Sequence, residues 1–399
     1  MSSRDVIQRM LSGSERVREV MWANAIRPEG RKELDLAFGL REAAELVDRS
    51  ESALKLAEAE GRIPKARTKP NGRRFYTVDD LVEIRQRLGV GRSRAPDEEP
   101  LIIGVQNFKG GVAKTTITVH LAHYLGLRGY RVLVIDCDSQ ASTTSMFDIV
   151  PDMDLAEEET IGAVLSPRFP HVTLKSIIRK THWPTIHIAP ANLDVQNAEY
   201  ELTAASRAGG GFKESIGILR REIEAVIDSY DVVLIDPPPA MGYLALNTIC
   251  AAKALLIPVP ARNLDFVSTL NYLQMTDSII ETLTAAGIAI DHKFIRVICS
   301  AFSPEKAADR EMLAAMKVAY GAQLIGNPIL LSDEIKHAAG EYRSVYEVRQ
   351  AIGARSTHER CKANLDAVFR EVETIIRQQW PSHAKALAKQ GLVSAAEAA

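Results

Sequence analysis

From Leu101 onward the chain alternates short apolar runs with stretches long enough for helices. "LIIGVQ", "RVLVID", "DVVLID", "ALLIPVP" and "FIRVICS" are each continuously apolar rather than alternating with polar residues. A strand that is apolar on both faces must be covered on both faces, and helices between such strands supply the crossovers. The pattern predicts an α/β fold with a doubly wound, mostly parallel sheet over residues 101–380. A composition of 46% hydrophobic and 25% charged residues allows a core of that size.

The first run leads into "NFKGGVAKTT", from Asn107 to Thr116, and "TITVHLAHYLGLRG" then reads as a helix. Strand, glycine-rich turn and helix N-terminus make an anion cradle. Glycines let backbone N–H groups close on phosphate, and the helix dipole favours the negative charge. Gly110, Gly111, Val112, Ala113, Lys114, Thr115 and Thr116 would wrap the phosphates, with Lys114 reaching the β- and γ-phosphates and the Thr115 hydroxyl taking Mg2+. The strict pattern G-x-x-x-x-G-K-[ST] is not met, since Phe108 stands at the first glycine position and Ala113 at the last. The pattern K-G-G-x-x-K-[ST] is met, by Lys109, Gly110, Gly111, Lys114 and Thr115.

Two later runs end in carboxylates. "RVLVIDCDSQAS" places Asp136 and Asp138 at the carboxyl end of a strand, where open α/β sheets bind ligands. "YDVVLIDPPPAMGYLALNTI" has four apolar residues before Asp236, the pattern by which a buried strand delivers one carboxylate to Mg2+ through a water. The prolines that follow cannot continue a central strand.

Phosphate loop, D-x-D and D-P-P-P, in that order, resemble the deviant phosphate-loop ATPases of the ParA/MinD class. The likeness is greatest to large plasmid-type ParA proteins and their RepA relatives in repABC plasmids. It runs from about Ile102 to Glu347 and includes "PVPARNLDFVSTLNYL". The resemblance implies that Lys109 crosses a homodimer interface to the partner's nucleotide. It implies that Asp138 helps orient or activate the attacking water, and that Asp136 supports the loop and metal region. Ser139 stands where the family usually has proline. The resemblance further implies ATP and Mg2+ as ligands, an ATP-closed dimer that binds DNA without sequence preference, and association with the nucleoid. A ParB-type centromere-binding partner and segregation of a low-copy replicon belong to the same expectation. Lys336, Arg343 and, beyond them, Arg349 fall in "LLSDEIKHAAGEYRSVYEVR", which aligns with the family's DNA-facing segment. Two alternatives share the motifs: a transcription repressor that only senses nucleotide, and a positioning ATPase of MinD type. The second needs a C-terminal amphipathic membrane helix, and "HAKALAKQGLV" is short with a small apolar face.

Ahead of the sheet lies a small basic unit, residues 36–95. Leu40–Val47 fits a short helix, and Asp48 with Glu51 matches a capping box for a second helix ended by Gly61. "KPNGRRFY" reads as a hairpin, and Thr77 with Asp80 caps a third helix. This is the plan of a MerR-like winged helix-turn-helix. Ser52 and Lys55 would face the major groove, and Arg73 and Arg74 on the wing would meet phosphate or the minor groove. Between Arg62 and Arg94 there are ten basic residues against three acidic ones, a footprint of phosphate binding. Large ParA proteins repress their own operon through such a unit.

Residues 1–35 carry a helical pattern (Val6, Met10, Val17, Val20, Met21) that either pairs two chains on a palindromic operator or packs only on its own domain. "GVGRSRAPDEEP", ending at residues 96–100, reads as a linker, and residues 381–399 as a frayed tail. Thr357–Trp380 shows one apolar stripe typical of a core-facing helix. The four cysteines lack metal or disulfide spacing. The charged N-terminus is no signal peptide, and no run is long enough to span a membrane. These features predict a cytoplasmic protein that does not engage membranes.

Overall fold

The computed structural model describes residues 3–25, 32–207, 211–348 and 355–392, so Arg349 and the 393–399 end of the tail lie outside the described residues. Among the described residues nine strands are formed. β1 (Arg67–Thr68) and β2 (Arg74–Phe75) make an antiparallel pair. β3 (Leu101–Val105), β4 (Val132–Asp136), β5 (Arg179–Lys180), β6 (Ile186–Ala189), β7 (Val232–Asp236), β8 (Ala254–Pro260) and β9 (Phe294–Ser300) form one sheet in the order β5-β6-β4-β7-β3-β8-β9. All its pairings are parallel except β5 with β6. The five continuous apolar runs are β3, β4, β7, β8 and β9, adjacent in space. β3, β4, β7 and β8 are buried along their whole lengths. β5 and β6 carry no such run, because His187 is half-buried and Pro184 and Pro190 flank a strand of only four residues.

β3 lies between β7 and β8, and the chain winds outward on either side of it. The carboxyl ends of β3, β4 and β7 therefore meet at the switch point of the sheet, where such folds bind ligands. Helix Lys114–Leu127 starts there and is buried on nearly all sides. The long helix Arg355–Gln378 covers it with Leu365, Val368, Phe369, Val372 and Ile376, the stripe expected from the sequence.

The N-terminal unit consists of helices Leu40–Leu46, Glu51–Ala59 and Val78–Leu88 around the β1–β2 hairpin. Its core (Leu54, Tyr76, Leu81, Ile84) is continuous with the main core around Tyr124, Phe369 and Trp380. The expected Asp48–Glu51 capping box is not made. Ser50 is the cap and accepts from Ala53 N at 3.2 Å, while Asp48 turns left-handed (φ 53°) and gives its carboxylate to Arg92. Thr77 and Asp80 do form the predicted box, at 3.2 and 2.8 Å. In the hairpin, Gly72 N donates to Lys69 O (2.9 Å), so Pro70 and Asn71 form the turn and Gly72 takes the positive φ of 77°.

The stretch that reads as a linker is packed down. Arg92 joins Asp48 to Glu373 of the long helix (2.8 Å). Arg94 is buried and donates to the carbonyls of Glu98 (2.6 Å), Asp228 (3.1 Å) and Tyr230 (3.2 Å). The start of the tail is ordered too. Ser382 binds the Glu98 carboxylate, and Leu387 on helix Ala384–Lys389 is buried. The charged composition conceals this, because Arg92, Arg94, Glu98 and Glu99 each find a partner far away in sequence. Helix Ser3–Ala25 is formed, with Val6, Ile7, Met10, Leu11, Val17 and Val20 exposed. Among the described residues no helix is long and apolar enough to cross a membrane, and all four cysteines are free and buried.

Candidate functional site

The loop after β3 is braced from three sides. Asn107, fully buried, donates through Nδ2 to Pro258 O (3.0 Å) and Thr269 Oγ1 (3.3 Å), and its Oδ1 accepts from Lys109 N (3.1 Å). Ser300 at the end of β9 donates to Val112 O (3.0 Å). Phe108, at the first glycine position of the strict pattern, packs its ring 5.8 Å from that of Tyr272. Gly111 (φ 72°) and Ala113 (φ 80°) are both left-handed. Ala113 thus adopts a conformation that favours glycine, at a steric cost of about 1–2 kcal/mol, strain of a kind that concentrates at ligand sites.

Lys114 opens the following helix. It is 7% exposed, its Nζ donates to Lys109 O (3.3 Å), and burial lowers its pKa against the pull of Asp236 and Asp138. Thr115 Oγ1 donates to Asp236 Oδ2 (2.6 Å), and Thr143 Oγ1 to the same oxygen (2.7 Å). Asp136 and Asp236 are direct neighbours across the β4–β7 pairing. Asp136 accepts from Thr144 N (2.8 Å), Thr144 Oγ1 (2.7 Å) and Asp138 N (3.1 Å). Burial raises the pKa of both carboxyls, and proximity to another carboxylate raises each further. Asp138 is only half-buried and accepts from Gln140 N (3.0 Å).

Asp236 Oδ1 is buried without a hydrogen-bond partner among the described residues. A lone carboxylate oxygen out of water is costly, and beside the Thr115 hydroxyl it completes an all-oxygen donor set of the kind Mg2+ takes. The residues therefore fit the ion. Asp136 is instead committed to the turn after β4, in keeping with a supporting role. A cavity of about 490 Å3 opens beside Thr115, Ser139 and Gln140 and runs to Ile335 and Tyr342. Sequence reasoning missed Asn107, Thr143 and Thr144. Threonines and asparagines are too common for their roles to show until the fold brings them to the carboxylates.

The structure redraws the basic stripe. Arg62, Arg67, Arg74 and Arg87 pair with Glu60, Asp80, Glu58 and Glu83. Arg85, Arg92 and Arg94 are turned into the protein. Arg85 donates to Leu46 O (3.0 Å) and to Leu127 O, at the end of the phosphate-loop helix. Arg73 remains exposed on the wing, and Ser52 and Lys55 are exposed on helix Glu51–Ala59. Arg74 ties the wing to that helix through Glu58, so it serves the fold as well as any phosphate.

Lys336 lies on helix Asp333–Gly340, 64% exposed and paired with Asp333 at 2.9 Å; Arg343 follows that helix and is half-buried. The residues next to Arg343 are bonded to the phosphate-loop helix. His120 accepts from Val345 N through Nε2 (3.2 Å), and His123 Nδ1 meets Ser344 Oγ (2.7 Å). Burial pushes these histidines down to about 4 and about 3, so both are neutral in the physiological range.

A family model described as an AAA domain matches residues 101–287. The chain is 32% identical to a replication protein A of Rhizobium rhizogenes over 352 residues, covering 86% of this chain and 87% of the relative. It is also 32% identical to protein SopA of Escherichia coli (strain K12) over 336 residues, 83% of this chain and 84% of that one. A solved partition protein superposes with a TM-score of 0.66 at 21% identity, covering 94% of this chain and 99% of the other. Its main fold agrees with the mostly parallel sheet described above. The chain belongs to the ParA-type family of partition ATPases.

Proposed function

We propose that this chain binds ATP with Mg2+, closes into a nucleotide-dependent homodimer that holds DNA without sequence preference, and segregates a low-copy replicon with a ParB-type partner. The N-terminal unit reads an operator and represses the chain's own operon. The observation that carries the reading is the meeting of Lys114, Thr115, Asp236 and Asp138 at the ends of β3, β4 and β7, with Lys109 in the same loop.

Hydrolysis passes the γ-phosphoryl group to water, and the protein's share is positioning and charge. Lys114 sits where its ammonium meets the β- and γ-phosphates. Thr115 and Asp236 would hold the Mg2+ ion, which would supply charge to offset that on the transferring group. Asp138, the least buried of the three carboxylates, orients the attacking water. Asp136 fixes the turn that carries Asp138. Lys109 reaches the partner's nucleotide, which makes pairing depend on the γ-phosphate. The hydrogen bonds that join His120 and His123 to the segment beside Arg343 give nucleotide a physical route to the DNA-holding surface.

Two separable DNA-binding modes follow, and they provide the test. Arg73→Ala with Arg74→Ala is expected to lower affinity for DNA from upstream of the chain's own reading frame. ATP-dependent binding to a shuffled duplex of equal length should survive. Arg343→Ala is expected to do the reverse. Each lost phosphate contact should reduce the salt slope by about one unit. Titrations on both duplexes with ATP and with ADP, at several salt concentrations, read this out. Parallel loss of both modes in both variants would mean one shared surface and would refute the two-mode reading.

A further inference from the structure

Lys109 is held within its own subunit. Its Nζ lies 2.6 Å from Asp265 Oδ1, with the Asp265 side chain 8% exposed and that of Lys109 35%. Asp265 sits in the first turn of helix Asn263–Ala285, which follows β8. A carboxylate there is favoured by the helix dipole, which suits Asp265 to hold a lysine ammonium in contact. A second path ties the same turn to the loop. Thr269 Oγ1 donates to Asp265 O (2.8 Å), Asn107 Nδ2 donates to Thr269 Oγ1 (3.3 Å), and Asn107 Oδ1 accepts from Lys109 N (3.1 Å). The backbone and the side chain of Lys109 are therefore gripped by one turn of one helix.

We propose that Asp265 is a latch in cis. It holds the Lys109 ammonium in the unpaired subunit, and pairing requires Lys109 to exchange this carboxylate for the partner's triphosphate. The proposal rests on the crossing-lysine reading given above. The exchange is a competition between anions for one cation. A single carboxylate already in contact is displaced only by an acceptor of higher charge within reach. A triphosphate offers one, while a diphosphate lacks the γ-oxygens and carries less charge. Asp265 thus acts as a positioning residue that sets the threshold separating ATP from ADP. Without it, Lys109 is free for either nucleotide.

The test is the concentration dependence of molecular mass, by light scattering, for the full chain with ATP, a non-hydrolysable ATP analogue or ADP. Asp265→Asn keeps the shape of the side chain and removes its charge. It is expected to tighten the ATP-dependent dimer by about five- to tenfold, as for loss of a partly buried ion pair, and to let dimers form with ADP. Asp265→Ser, which suits a first helical turn, is the second variant and should show the same gain. Lys109→Ala should lose the dimer, and adding Asp265→Asn to it should restore nothing. If Lys109→Ala still dimerises fully with ATP, the crossing-lysine reading fails and the latch with it. If Lys109→Ala loses the dimer while both Asp265 variants pair no better than wild type, the latch alone is wrong. A gain that persists in the double variant would also overturn it.

Discussion

Lys114→Ala is expected to abolish measurable ATP binding while leaving the fold intact. In the structure this ammonium is nearly buried, and its hydrogen bond goes to the carbonyl of Lys109 rather than to a carboxylate. Burial lowers its pKa and the nearby Asp236 and Asp138 raise it again, so it is a cation kept at some cost in desolvation. A charge held this way recovers its cost when a phosphate arrives. Two charge-assisted hydrogen bonds of about 1.5–3 kcal/mol each correspond to at least about a hundredfold in affinity. The variant leaves Asp236 without its nearest cation, which disfavours the arriving triphosphate further. Titration calorimetry with ATP and Mg2+ gives the affinity, and a thermal melt without nucleotide checks the fold. Binding within about threefold of wild type would remove Lys114 from the phosphate site.

Asp138→Ala is expected to separate binding from chemistry. Asp136 and Asp236 are buried and tied down by threonines, so removing either would damage the loop or the ion site. Asp138 differs: it is half-buried, and its carboxylate accepts a backbone N–H of its own turn. Its loss should leave ATP affinity within a few-fold and slow phosphate release by about a hundredfold or more, the usual effect of removing a group that orients or activates the nucleophile. The variant should accumulate as an ATP-bound dimer. Phosphate release under saturating ATP, with DNA and the proposed ParB-type partner present, measures the rate. Wild-type turnover would assign the role to another group.

Much of this site was legible because its chemistry depends on local order in the chain. A strand, a glycine-rich turn and a helix are consecutive, and Asp136, Asp138 and Asp236 are marked by the apolar runs before them. β6 escaped because His187 breaks its run. Thr143 and Thr144 escaped because nothing local marks the hydroxyl that will face a buried carboxylate. The basic stripe misled in the opposite direction. A count of charges cannot show that Arg85, Arg92 and Arg94 point inward, or that Arg62, Arg67, Arg74 and Arg87 already have acidic partners. The linker reading failed for the same reason, since Arg92 and Arg94 are what fasten that stretch.

That fastening bears on how the protein would measure DNA. Glu373 accepts from Tyr124 (3.0 Å) and Tyr130 (2.9 Å) while pairing with Arg92, and Arg92 holds Asp48, three residues before the helix that carries Ser52 and Lys55. A free tether of the 12 residues from Gly89 to Pro100 would wander over about 20 Å and absorb half a turn of DNA. Bolted down, the reading head inherits its position from the ATPase body. In the proposed homodimer the two heads become the jaws of a caliper whose gap is set by how the bodies meet. Half-sites would have to lie a fixed number of helical turns apart, each about 10–10.5 base pairs, and five inserted base pairs would swing one half-site to the far side of the duplex. Nucleotide, by setting how the bodies meet, would also set the gauge at which the operator can be read.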